Sequence, residues 1–83
     1  MYQIEFTNRA VKNFKKIDAI YQSLIIEKLE NLASNPTNKS NIKALKGSQY
    51  FRLRVADYRI IYELQNNELI ILVIDINHRK DIY

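Results

Sequence analysis

Tyr2, Ile4 and Phe6 alternate with Gln3 and Glu5, the two-residue repeat of a short half-buried strand. The period then lengthens. Ala10, Val11, Phe14 and Ile17 recur at helical spacing among Arg9, Lys12, Lys15 and Lys16, which predicts an amphipathic helix over Asn8–Ile17, with Thr7 or Asn8 placed to cap it. Asp18 suits the N-cap of a second helix, whose apolar positions Ile20, Tyr21, Leu24, Ile25, Leu29 and Leu32 run until Asn35 and Pro36 stop it. Two such neighbours predict a helical hairpin. The cations around the first helix read as a solvated face and are given no role.

Residues Asn35 to Ser48 hold the only Pro and the only Gly among Asn, Thr, Ser and Lys, and read as a loop. Beyond it the period is two again. Tyr50–Val55, Tyr58–Gln65 and Glu68–Asn77 predict three strands joined by turns at Ala56-Asp57 and Asn66-Asn67, the second pair suiting a type I′ turn because Asn tolerates positive φ. Helices and strands in blocks, with short strand connections, predict an α+β fold: an N-terminal strand and two-helix hairpin packed on a three- to four-stranded antiparallel sheet. At 83 residues the chain is expected to form one domain, 1–83. The last strand, Leu69-Ile-Ile-Leu-Val-Ile-Asp-Ile76, is apolar on both faces; burial as a central strand is the preferred account, with cover by loops, the chain end or another protein as the alternatives.

Composition narrows the class. An apolar share of 47% and a charged share of 27% exclude disorder and membrane embedding. There is no cysteine, hence no disulfide framework and no thiolate metal site. No signal peptide or membrane span is evident, so a cytoplasmic site without membrane association is the expectation. The net charge of +4 matters through its position: Lys39, Lys43, Lys46, Arg52, Arg54 and Arg59 face only Asp57 within one stretch, the footprint of a polyanion binder.

In Tyr50-Phe-Arg-Leu-Arg-Val55, alternation sends Phe51, Leu53 and Val55 one way and Tyr50, Arg52 and Arg54 the other. A two-residue turn at Ala56-Asp57 pairs Val55 with Tyr58, sets Arg54 opposite Arg59 and crowds three guanidinium groups on one face, provided that no bulge at Ala56 turns Arg59 away. Like charges facing each other across strands cost up to roughly 1 kcal/mol, a penalty that a bound polyanion removes. Glu63, opposite Tyr50 in the same register, is the available counter-charge, and one carboxylate does not neutralise three arginines.

The chain closes on Asn77-His-Arg-Lys-Asp-Ile-Tyr83, placing an imidazole, a guanidinium and a phenol just past an apolar strand. RNA cleavage by its own 2′-OH needs a base for that proton, an acid for the 5′-oxygen and cations for the phosphorane. His78, Tyr83 and the arginines are the candidates. Asp75, His78 and Asp81 lack metal-ligand spacing, so neither a metal nor another cofactor is expected.

The segments Ala44-Leu-Lys-Gly47, Tyr50-Phe-Arg-Leu-Arg-Val-Ala-Asp-Tyr-Arg-Ile-Ile-Tyr62 and His78-Arg-Lys-Asp-Ile-Tyr83 together resemble the RelE/ParE toxins of bacterial and archaeal toxin–antitoxin operons, and within them the RelE branch. The resemblance implies a type II toxin that cuts messenger RNA in the ribosomal A site without metal, leaving a 2′,3′-cyclic phosphate. It implies a RelB-like antitoxin as partner, contact with ribosome and mRNA, and operator DNA binding only through the antitoxin complex. By position, Arg52 and Arg54 match the family's basic pair, Arg59 its phosphate-binding arginine, Arg79 the arginine near the chain end and Tyr83 the C-terminal tyrosine; His78 joins them as a further catalytic candidate, and Lys43 and Lys46 as RNA-binding ones.

Three departures bear on these roles. The pair is lysine in well-known members, and an arginine with pKa above ~12 is a poor proton acceptor, which leaves His78 or Tyr83 as the base. Relatives often continue past the tyrosine into another helix. At Ala56 they commonly carry Gly, and an alanine at positive φ costs on the order of 1 kcal/mol. Two competing readings remain at this level: a ParE-like DNA gyrase inhibitor without catalysis, and a decayed toxin acting only as antitoxin partner and operon co-repressor.

Overall fold

The computed structural model describes residues 2–35 and 42–78. Strand β1 (Gln3–Phe6) leads into helix α1 (Asn8–Phe14), helix α2 (Ala19–Ser34) and strands β2 (Ile42–Ala44), β3 (Tyr50–Val55), β4 (Tyr58–Gln65) and β5 (Ile70–His78). The α+β class and the hairpin are as expected. The sheet is larger than expected and mixed: five strands in the order β1-β5-β4-β3-β2, with β1 parallel to β5 and the other pairs antiparallel. A parallel neighbour needs a long crossover, and everything between β1 and β5 supplies it.

Thr7 ends β1 and starts α1. Its Oγ1 accepts from the Ala10 N–H at 3.2 Å and its hydroxyl donates to the Ile74 carbonyl at 2.7 Å, so one side chain caps the helix and ties it to β5. The helix stops at Phe14, before Ile17, and the Gln22 side-chain amide donates to the Phe14 carbonyl at 2.9 Å. An orphan carbonyl is thereby satisfied from the next helix, which staples the hairpin. Ile17 still reaches the core from the connecting turn.

Helix α2 buries Ile25, Leu29, Leu32 and Ala33. Ile20, expected on that face, is 75% exposed, because five residues turn a helix by about 140° and carry it off the stripe that Ile25 begins. Opposite the helices, Leu53, Val55, Ile60, Tyr62, Ile71, Val73 and Ile76 complete the core. Among the described residues no helix is long and apolar enough to cross a membrane.

The segment expected to be loop contains β2, whose Ile42, Lys43 and Ala44 pair with Leu53, Arg52 and Phe51. Three residues are too few to display a two-residue period against a polar background, so the strand is defined by its partner. The following turn uses Gly47 at φ +79°, where a side chain would be strained.

The first hairpin turn is the expected two-residue connection at Ala56-Asp57, whereas the second departs from expectation. Ala56 has φ +53° and Asp57 does not share the positive sign, the φ pattern of a type II′ turn that ordinarily selects Gly first. Between β4 and β5 the connection is Asn66 to Leu69, with Gln65 paired to Ile70, and the positive φ falls on Leu69 at +56° rather than on the two asparagines. Further along, Ile61 pairs with Asp75 but Tyr62 with Val73, leaving Ile74 as an extra residue in β5. An unbroken register would set Asp75 opposite Ile60 on the core face. The bulge brings Ile76 there instead, and Ile76 is 3% exposed.

Candidate nucleic-acid interface

Strand β3 alternates as its sequence dictates, Leu53 and Val55 buried and Arg54 exposed. The β3–β4 register pairs Val55 with Tyr58, Arg54 with Arg59 and Tyr50 with Glu63, with no bulge at Ala56. Arg52, Arg54 and Arg59 therefore share the face that looks away from the helices. Lys43 joins them opposite Arg52, giving two like-charge pairs side by side. No carboxylate among the described residues lies within ion-pair distance of Arg52 or Arg54. The nearest expected counter-charge, Glu63, is engaged elsewhere: Gln49 Nε2 donates to it at 2.6 Å and Gln65 Nε2 at 3.0 Å. Such pairs are unfavourable by several tenths to about 1 kcal/mol each, a cost that a bound anion would offset.

Other candidates fall elsewhere. Lys46 is exposed in the turn before Tyr50, at the end of β3 remote from Arg54 and roughly 13 Å of strand away. His78 pairs with Tyr58, not with an arginine. Its ring meets the Tyr58 ring edge-on at 4.9 Å, and Tyr58 in turn lies 5.6 Å from Tyr21 of α2. The imidazole, named from the sequence as a catalytic candidate, is thus on the helix side of the sheet, across from the guanidinium groups of β3 and β4. The cause is the bulge, which reverses the faces of Ile76, Asn77 and His78. Arg79 and Tyr83 lie outside the described residues.

The same reversal adds a residue that the sequence reading missed. Asn77 pairs with Arg59 and so belongs to the arginine face. Its amide can donate to or accept from a ligand held there.

Helix α1 meets the end of β5 through Asp75. Its Oδ1 accepts from Asn13 Nδ2 at 2.7 Å and from the Ile76 N–H at 2.9 Å, and its Oδ2 lies 3.2 Å from Arg9 Nε. A cleft of about 470 Å³ opens beside this contact, lined by Arg9, Asn13, Lys16, Ile17, Tyr58, Ile76, Asn77 and His78.

The chain matches, over residues 4–83, the family model described as the ParE toxin of type II toxin–antitoxin systems, parDE. It belongs to this toxin family. Within the wider RelE/ParE group its relatives are RelE-like. It is 34% identical to toxin RelE3 of Methanocaldococcus jannaschii, over 98% of this chain and 94% of that one. It is 22% identical to the mRNA interferase toxin RelE of Escherichia coli, over 95% and 84%. The fold superposes on RelE in the RelB-RelE antitoxin-toxin complex from Methanococcus jannaschii with a TM-score of 0.78 at 30% identity, covering 95% of this chain and 94% of that one. In this RelE-like toxin, then, the cationic face belongs to β2, β3 and β4, and the aromatic row Tyr21, Tyr58 and His78 to the opposite side.

Proposed function

We propose that this toxin is a metal-independent, ribosome-dependent messenger RNA endoribonuclease. The observation that carries the reading is the cross-strand register that sets Lys43 opposite Arg52 and Arg54 opposite Arg59, like charges that a phosphodiester would bridge. In the reaction the 2′-oxygen attacks phosphorus as its proton leaves to a base. The P–O5′ bond breaks as the 5′-oxygen takes a proton, giving a 2′,3′-cyclic phosphate. Arg52, Arg54 and Arg59 hold the phosphate in line and balance the charge of the phosphorane, and Arg79 adds a fourth guanidinium. Asn77, beside Arg59, orients the phosphate oxygens.

Guanidinium groups stay protonated and serve as poor bases. With His78 turned to the helix side, the proton-transfer role goes to Tyr83. The name of the Escherichia coli relative, an mRNA interferase, supports the chemistry, and the antitoxin-bound structure from Methanococcus jannaschii supports a RelB-like antitoxin as the partner that restrains it.

Primer extension on messenger RNA after brief expression tests this, beside an Arg59→Ala, Tyr83→Phe double variant. Cuts within translated codons that vanish in the variant are expected. Growth arrest with intact messages would refute the nuclease and favour gyrase inhibition, the reading that the ParE description of the matching family model keeps in play.

A further inference from the structure

We infer that the cleft between α1 and the ends of β4 and β5 is a second RNA-contact site, taking one nucleotide of an RNA segment other than the strand held on the arginine face. The proposal extends the RNA reading but stands on separate residues. Arg9, Asn13 and Lys16 are spaced to line one side of α1 and the turn that follows it, and all three border the cleft. The Arg9 side chain is 76% exposed, and Asp75 engages it through Nε. That contact engages Nε while most of the side chain stays exposed to solvent. Lys16 is exposed and has no carboxylate within ion-pair distance among the described residues. Two cations, one of them anchored, suit a phosphate.

The other wall suits a base. Tyr58 and His78 present aromatic rings packed edge to face, with Tyr21 behind Tyr58 at 5.6 Å, and Asn13 adds an amide group at the rim. Stacking surface interleaved with cations is the mark of single-stranded nucleic acid contact. An acidic peptide would use the cations but leave the aromatic wall unexplained. The cleft volume of about 470 Å³ falls in the range of small-ligand sites, enough for a nucleotide and too little for a helix. Because Asn77 pairs with Arg59 and His78 with Tyr58, the two sites lie back to back on the last residues of β5. A single extended strand would have to turn sharply around that end, so two segments of one folded RNA fit better.

The test uses the full chain with uridine 5′-monophosphate as probe, read by backbone amide shifts in wild type and in an Arg52→Gln, Arg54→Gln variant. Shifts at Arg9, Lys16 and His78 that persist in the variant are expected, and so is their loss in Lys16→Glu. In parallel, a fluorescent oligouridylate 12-mer is titrated between 50 and 200 mM salt. Lys16→Gln should weaken binding severalfold and reduce the slope of log affinity against log salt by about 0.7, one phosphate contact to a single strand. No cleft shifts, or Lys16→Gln with wild-type affinity and slope, would overturn the second site while leaving the arginine-face reading intact. Shifts produced by a glutamate octapeptide but not by the nucleotide would overturn it in favour of a protein partner.

Discussion

Replacing Arg52 and Arg54 together by Gln should stabilise the free protein while weakening its hold on RNA. Each substitution removes one like-charge pair, Arg52 from Lys43 and Arg54 from Arg59. At exposed or half-exposed positions such a pair costs a few tenths to about 1 kcal/mol, so relief of both amounts to about 1 kcal/mol at low salt. Against this stands the loss of arginine stems that cover the sheet, which Gln retains in part. For a domain of this size, 1 kcal/mol corresponds to a melting shift of about 4–8 °C. The assay is thermal unfolding at 20 and 300 mM salt. Wild type should gain stability with salt as the repulsion is screened, and the variant should start higher and respond less. The same protein should bind an oligouridylate with a salt slope smaller by about 1.4, two phosphate contacts at 0.7 each. A variant that melts below wild type at both salt concentrations would refute the reasoning, because the arginines would then be supporting the fold rather than straining it.

Ala56→Gly should raise stability by up to about 1 kcal/mol, since Ala56 sits at φ +53° and glycine accepts that conformation without a Cβ clash; a melting curve reads it. Asp75→Ala should cost about 1–3 kcal/mol in chemical denaturation by stranding the Asn13 amide and the Ile76 N–H, and Asp75→Asn should cost less because an acceptor remains. Burial pushes the Tyr62 hydroxyl from 10.0 up to about 12. Below pH 10 both folded and unfolded chains are protonated there and the group is neutral to stability. Between pH 10 and 12 the unfolded chain releases its proton first, so stability should fall by about 1.4 kcal/mol per pH unit. Tyr62→Phe should flatten that part of the profile in denaturant melts at pH 9 and 11.

What the sequence made legible was whatever depended on alternation and on one short turn. Leu53, Val55 and Ile60 inward, Arg52, Arg54 and Arg59 outward, and the pairing of Arg54 with Arg59 all follow from a two-residue connection at Ala56-Asp57. Helix α2 was readable because Ile25, Leu29 and Leu32 hold one stripe across its length. Strand β2 was not, because three residues carry almost no period and Lys43 and Ala44 are exposed. The second hairpin misled for a related reason. Two asparagines advertise positive φ, yet the loop takes four residues and gives that conformation to Leu69, a choice governed by the pairing of Leu64 with Ile71 and Tyr62 with Val73 in the core.

The bulge in β5 had the widest consequences and the weakest signal. The run Ile70 to Ile76 is apolar at every position but Asp75, so alternation alone does not say which face each residue takes. Packing decides. An unbroken strand would press a carboxylate against Ile60, and an unpaired buried charge costs several kcal/mol. One extra residue at Ile74 avoids this, seats Ile76 in the core and hands Asp75 to Asn13 and Arg9. Because a one-residue slip inverts everything beyond it, the same event exchanges Asn77 for His78 on the arginine face. A device that serves folding thereby sets the chemistry available on each side of the sheet: guanidinium groups with an amide on one, an imidazole among tyrosines and two cations from α1 and the turn after it on the other.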